Sequence, residues 1–94
     1  MSEGASDADR FLALVAAAQG RDNELTSIQA SLLVAADLGI ARDTRTFARM
    51  LGIAHSLVLR EVNALAEREG VLQIVKRDTR TMRVHYTLPP PDEA

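Results

Sequence analysis

One stretch constrains this chain more than any other. It runs from Asp43 to Leu88 and reads DTRTFARMLGIAHSLVLREVNALAEREGVLQIVKRDTRTMRVHYTL. Asp43 or Thr44 can cap a helix that carries Phe47, Ala48 and Leu51 inward, and Gly52 ends it, because a C-terminal cap takes the left-handed conformation that glycine tolerates. Ile53 is expected to pack in the turn. Residues 55–69, set at 3.6 per turn, place Val58, Val62 and Leu65 on one face with Ala66 beside them, and Ser56, Arg60, Asn63 and Glu67 opposite. Ala54 is a poor cap, so His55 or Ser56 must serve, and Gly70 closes this helix after Glu69. VLQIV (71–75) and MRVHYTL (82–88) are rich in β-branched residues and roughly alternate, which predicts two strands joined by a charged turn, KRDTRT (76–81).

Helix, tight turn, helix and hairpin in that order make a helix-turn-helix with a β-wing, an arrangement that can set one helix in a DNA groove. The polar face of the second helix offers a hydroxyl, a guanidinium and an amide, donors and acceptors suited to phosphates and base edges. The plain alternative is the solvated face of any amphipathic helix. The flanking elements favour the first reading.

Ahead of this stretch, Ser6 or Asp7 can cap a helix over about 7–19, after a polar, acidic segment 1–6 expected to be disordered. Phe11, Leu12, Leu14, Val15 and Ala18 make that helix apolar around much of its girth, so one side can lie on the domain and another suits a second copy. LTSIQASLLVAADLG (25–39) predicts a further helix, capped at Thr26 or Ser27, with Ile28, Leu32, Leu33, Ala36 and Leu38 inward and Gly39 as its stop. Ile40 to Arg42 can add a short third strand beside the wing. Pro89, Pro90 and Pro91 forbid a helix directly after the last strand, leaving a Pro-rich acidic tail, 89–94. The expected fold is mainly α with a small β-sheet (α+β): a winged helix-turn-helix, 7–88, with an extra N-terminal helix.

Ninety-four residues make one small domain with a thin core. There is no cysteine, and His55 and His85 stand alone, so no disulfide framework, metal cluster or cofactor is expected. No segment is long and apolar enough for a membrane span or a signal peptide, and the default location is cytoplasmic. The net charge of −2 argues mildly against a nucleic-acid binder. Its distribution argues the other way: residues 41–88 hold nine basic groups against five acidic ones, and every other segment is negative. RDTRT occurs twice, at 42–46 and 77–81, once before a helix and once in a turn. The echo reads as coincidence; if both copies face DNA, each offers an arginine pair to phosphate.

The chain resembles the winged-helix core of MarR-type transcription regulators. LTSIQASLLVAADLG (25–39) is similar to their LTxxQxxvLxxLxxxG helix, FARMLGIAHSLVLREVNALAEREGVLQ (47–73) to their LAxxLgisxstvtRxvdxLExxGlv segment, and RDTRTMRVHYTL (77–88) to their wing, with its D-x-R turn. The resemblance implies that Ser56, Leu57 and Arg60 lie on the recognition helix; His55 and Asn63 of the same helix, and Thr46 of the preceding one, are further candidate DNA-binding residues. It implies that Arg80 enters the minor groove from the wing tip with Asp78 as its brace, and that Arg77, Arg83 and Arg45, next to Thr46, hold phosphates. Leu57 could touch a thymine methyl or protein, and Leu59 is expected in the core. The family's long C-terminal dimerisation helices have no counterpart here, so a homodimer would use Phe11, Leu12, Leu14 and Val15 of the N-terminal helix. Half the wall of the family's small-molecule pocket is then missing, and the resemblance does not carry an effector over.

Two functions compete: a sequence-specific double-stranded DNA-binding regulator, and a winged-helix protein-interaction module without strong DNA binding. No Ser/His/Asp or paired-carboxylate arrangement suggests an enzyme. Glu61, Glu67 and Glu69 read as solvated charges or partners of nearby arginines. Phe47 and Tyr86 read as packing residues.

Overall fold

The computed structural model describes residues 6–90; of the segment 1–6 expected to be disordered only Ser6 is among them, where it caps a helix, and the tail residues 91–94 also lie outside. Four helices are followed by a hairpin: α1 Asp7–Arg21, α2 Ser27–Asp37, α3 Thr44–Leu51, α4 His55–Ala66, β1 Gln73–Asp78 and β2 Arg83–Thr87. The expected class, mainly α with a small antiparallel sheet, is the one observed.

α2 is the axis of the domain. Thr26 opens it with a capping box: its hydroxyl accepts from the Gln29 N–H at 3.1 Å, and the Gln29 side chain accepts from the Thr26 N–H at 3.2 Å. Ala30, Ser31, Leu32, Val34, Ala35 and Ala36 are all buried, so the helix is enclosed around most of its circumference. Small residues let its neighbours approach closely. Leu38, expected inward, is 48 % exposed, because the helix ends at Asp37 and Gly39 turns the chain away at φ 74°. The Ile40 N–H returns to the Ala35 carbonyl at 2.8 Å and the Gly39 N–H to Ala36 at 3.1 Å, where Arg42 Nε also donates at 3.0 Å, so these carbonyls of the last turn are satisfied. α3 closes the same way at Gly52 (φ 68°), with the Ile53 N–H on the Ala48 carbonyl at 3.1 Å.

α1 starts on Ser6, which accepts from the Asp9 N–H, and Asp7 and Asp9 suit the positive end of the helix. Val15 and Ala18 are buried and Phe11 packs against the same core. Phe47, Leu32, Val58, Val62 and Leu65 are its largest fully buried apolar side chains, joined by Tyr86, whose hydroxyl is buried with no hydrogen-bond partner among the described residues. Each of the five apolar side chains contributes about 1.5–3 kcal/mol by leaving water. α4 lies against both α2 and α3 and turns inward the face its periodicity assigns. Leu59 packs at the edge of the core.

Four boundaries differ from expectation. Ala54 itself occupies the cap position of α4 and makes no side-chain cap, while the His55 ring is engaged elsewhere. α4 ends at Ala66 instead of Glu69: the Arg68 N–H bonds Leu65, three residues back, and its side chain is drawn to Asp22 at 2.7 Å. β1 spans 73–78, not 71–75. Leu72 is buried as the lead into the sheet, and the pairing Gln73↔Thr87 to Asp78↔Arg83 carries the charged KRD residues into the strand, with Val75 bulged out between Ile74 and Lys76. The third strand at 40–42 is reduced to one bridge, Asp43↔His85, and one hydrogen bond from the Tyr86 N–H to the Arg42 carbonyl at 3.0 Å. Asp43 is already turning into α3, so no ladder can extend from it.

Candidate nucleic-acid interface

The site is a joint between α3, the start of α4 and the wing. Asp43 caps α3: one oxygen accepts from the Thr46 N–H at 2.9 Å and the other from the Thr46 hydroxyl at 2.6 Å. Partial burial pushes the Asp43 carboxyl up, but the Thr46 bonds, with Arg83 and His85 nearby, outweigh it and hold the group below its ordinary range. Thr46, expected on DNA, therefore spends its hydroxyl on the cap.

Thr44, one residue on, is fully buried. Its hydroxyl oxygen accepts from the Val84 N–H of β2 at 3.0 Å and lies 2.7 Å from His55 Nε2 at the start of α4. One hydroxyl thus ties three elements together. The arrangement that satisfies every group has the Thr44 O–H donating to a neutral ring. Partial burial lowers the His55 pKa, and Arg45 and Arg83 lower it further against the opposing pull of Asp43.

The two RDTRT copies meet here. Arg45 of the first donates from Nε and Nη2 to the Thr81 carbonyl of the second, at 3.2 and 2.6 Å. Each copy also uses its Asp to hold local backbone. Asp78 accepts from the Arg80 N–H at 3.0 Å, and that bond, more than those from Thr81, holds its carboxyl below the usual range. Asp78 thus braces the backbone of Arg80 and leaves the guanidinium free to reach outward. The Arg83 N–H is held by the Thr81 hydroxyl at 3.1 Å.

The wing lies beside the polar face of α4. Arg77 Nη2 donates to Asn63 Oδ1 at 3.1 Å, and a small cleft of about 150 Å³ between the two is lined by Leu59, Asn63, Arg77, Asp78 and Met82, among others. Asn63 stands one helical turn beyond Arg60 on that face. The arginines expected on phosphates are consequently engaged: Arg45 on Thr81, Arg77 on Asn63, and Arg83 beside Asp43 at 3.5 Å. Arg60 and Arg80 are exposed, and no side-chain hydrogen bond or ion pair among the described residues involves their guanidinium groups. Ser56 is exposed and Leu57 half-buried.

Of the four residues expected to pair two copies, Val15 is spent in the chain's own core and Phe11 packs against it. Leu12 and Leu14 remain outside, 62 % and 43 % exposed. Glu61, read as solvated or arginine-paired, accepts from the Gln29 side chain at 2.9 Å instead. Sequence reasoning missed Thr44 and Arg49. Nothing separates Thr44 from the other threonines of the chain, whereas Arg49 follows Arg45 by four residues and so shares its side of α3. It also missed Met82, whose φ of 63° closes the wing turn in a conformation that side chains disfavour.

Among the described residues no acidic or histidine cluster could hold a metal, and no helix is long and apolar enough to cross a membrane. Comparison with protein-family models, curated proteins and solved structures finds no match, so a functional reading rests on the geometry just described.

Proposed function

We propose that the chain is a sequence-specific double-stranded DNA-binding transcription regulator, built on the core of the MarR-type regulators it resembles. α4 enters a major groove with Ser56, Leu57 and Arg60, while the wing reaches the neighbouring minor groove with Arg80. The observation that carries the reading is the Arg77–Asn63 hydrogen bond, since it draws the wing alongside the polar face of α4, where Arg60 stands. An exposed leucine of α1, Leu12 or Leu14, supplies the contact between two copies, which then address two half-sites. Selection of genomic fragments on the purified protein, followed by a salt titration on the best site, tests this. A specific site whose affinity falls steeply with salt supports it. Equal, weak binding to all fragments at physiological salt rejects it.

A second reading has its own support. Val75 and Met82 leave the wing 66 % and 57 % exposed apolar side chains, which suit a protein partner better than a phosphate backbone. In that case Val75→Asp abolishes partner capture while Arg80→Ala leaves it intact.

A further inference from the structure

Beside the joint lies a concavity of about 430 Å³, lined by Arg45, Arg49, Gly52, Ile53, His55 and Arg83, with Ala48 at its floor. Three arginines line one space. The carboxylate facing this cluster is Asp43, and its two oxygens are engaged by Thr46, with Arg83 3.5 Å away. Arg45 spends two of its nitrogens on Thr81 and keeps Nη1. Arg49 is exposed and makes no side-chain hydrogen bond or ion pair among the described residues. The local charge is therefore positive and under-compensated, in a hollow where a small oxyanion could be reached from several sides at once.

We propose that this concavity seats one phosphate group of a duplex backbone, and that its filling is accompanied by proton uptake at His55. The proposal rests on the DNA-binding reading above and adds a defined contact to it. A phosphate held here fixes the register of α4, because His55 is both the first residue of that helix and part of the wall.

The proton linkage follows from what surrounds the ring. Arg45 of α3 and Arg83 of β2 act on it, Asp43 of the α3 cap opposes them with His85 next to it, and Arg49 of α3 lines the same concavity. In the free protein partial burial, and after it Arg45 and Arg83, favour the neutral ring, to which the Thr44 hydroxyl can donate. A bound phosphodiester carries one negative charge into the same space. It offsets the repulsion from the guanidinium groups and so makes the imidazolium less unfavourable. The ring gains a proton from solvent, and no bond to phosphorus forms or breaks.

The test follows the His55 ring by NMR through a pH titration of the full chain, with His85→Asn used to assign the two ring signals. The probes are dimethyl phosphate, inorganic phosphate and chloride at matched ionic strength, and then a selected duplex. The expected result is a saturable shift of the His55 signals with dimethyl phosphate and a midpoint moved upward. Arg49→Ala should weaken that binding about fivefold and lower the salt slope of duplex binding by about one, as the loss of one phosphate contact requires. If the duplex binds with its full slope in Arg49→Ala and His55 does not respond, the seat is wrong while the DNA-binding reading stands. If inorganic phosphate binds but the diester does not, the site takes a free anion and the proposal fails. If the diester binds and no duplex does, the DNA-binding reading fails and takes the backbone ligand with it.

Discussion

Thr44 Oγ1 and His55 Nε2 lie 2.7 Å apart, and that contact ties the first residue of α3 to the first residue of α4. The same oxygen holds the Val84 N–H, so the angle of the helix-turn-helix and the seating of the wing depend on one buried hydroxyl. Thr44→Val keeps the shape and removes the hydrogen-bonding group. The Val84 N–H is then buried without a partner, at a cost of about 1–3 kcal/mol. Urea denaturation should report that loss, and Thr44→Ser should recover most of it.

Stability should depend on His55 in mildly acid solution. Its folded-state pKa lies below the ordinary 6.5, so the unfolded chain binds the proton more readily. The contribution is fully present above pH 6.5 and is lost as pH falls through the folded value. The lowered carboxylates Asp43 and Asp78 act in the same direction, but below their ordinary 3.8. Thermal melts across the range between these two values should slope downward toward acid, and His55→Gln should flatten that slope.

Free and engaged arginines should behave differently on DNA. Arg60→Ala and Arg80→Ala remove exposed side chains whose guanidinium groups have no partner among the described residues, so the melting temperature should hold while duplex affinity falls by about 1–3 kcal/mol each. Arg77→Ala also breaks the Asn63 joint. It should loosen the wing, seen as faster amide exchange over Arg83–Thr87, and then weaken binding. Fluorescence anisotropy at two salt concentrations separates the two classes.

Leu12 is exposed and Val15, one turn further along α1, is buried, so the two should answer different questions. Leu12→Glu with Leu14→Glu should leave the domain folded and, if two copies pair there, shift sedimentation to the monomer. Val15→Asp should unfold the chain, because it places an unpaired charge in the core.

Met82 holds φ at 63° without being glycine. Met82→Gly should stabilise the fold by about 0.5–1 kcal/mol, the left-handed strain relieved less the entropy glycine loses. Unchanged or lower stability would show that the methionine side chain, in the cleft it lines with Leu59, contributes packing that offsets its backbone.

Much of this molecule is legible along the chain, because much of it is local. Periodicity separates Val58, Val62 and Leu65 from Ser56, Arg60 and Asn63, since one helix has one repeat whatever surrounds it. Gly39 and Gly52 mark where helices stop, since left-handed φ is a property of the residue itself. The caps at Ser6, Thr26 and Asp43 act over three residues. What the chain alone left open depends on distant partners. The pairing of β1 was set by the strand opposite, which drew charged residues into the ladder and pushed Val75 out. Leu38 and Val15 exchanged their expected places because burial is decided by where neighbouring elements end, not by hydropathy. Arg45, Arg77 and Arg83 look alike in sequence to Arg49, Arg60 and Arg80. Only the folded arrangement divides them, because whether a guanidinium stays available depends on which carbonyl, amide or carboxylate folding brings within its reach.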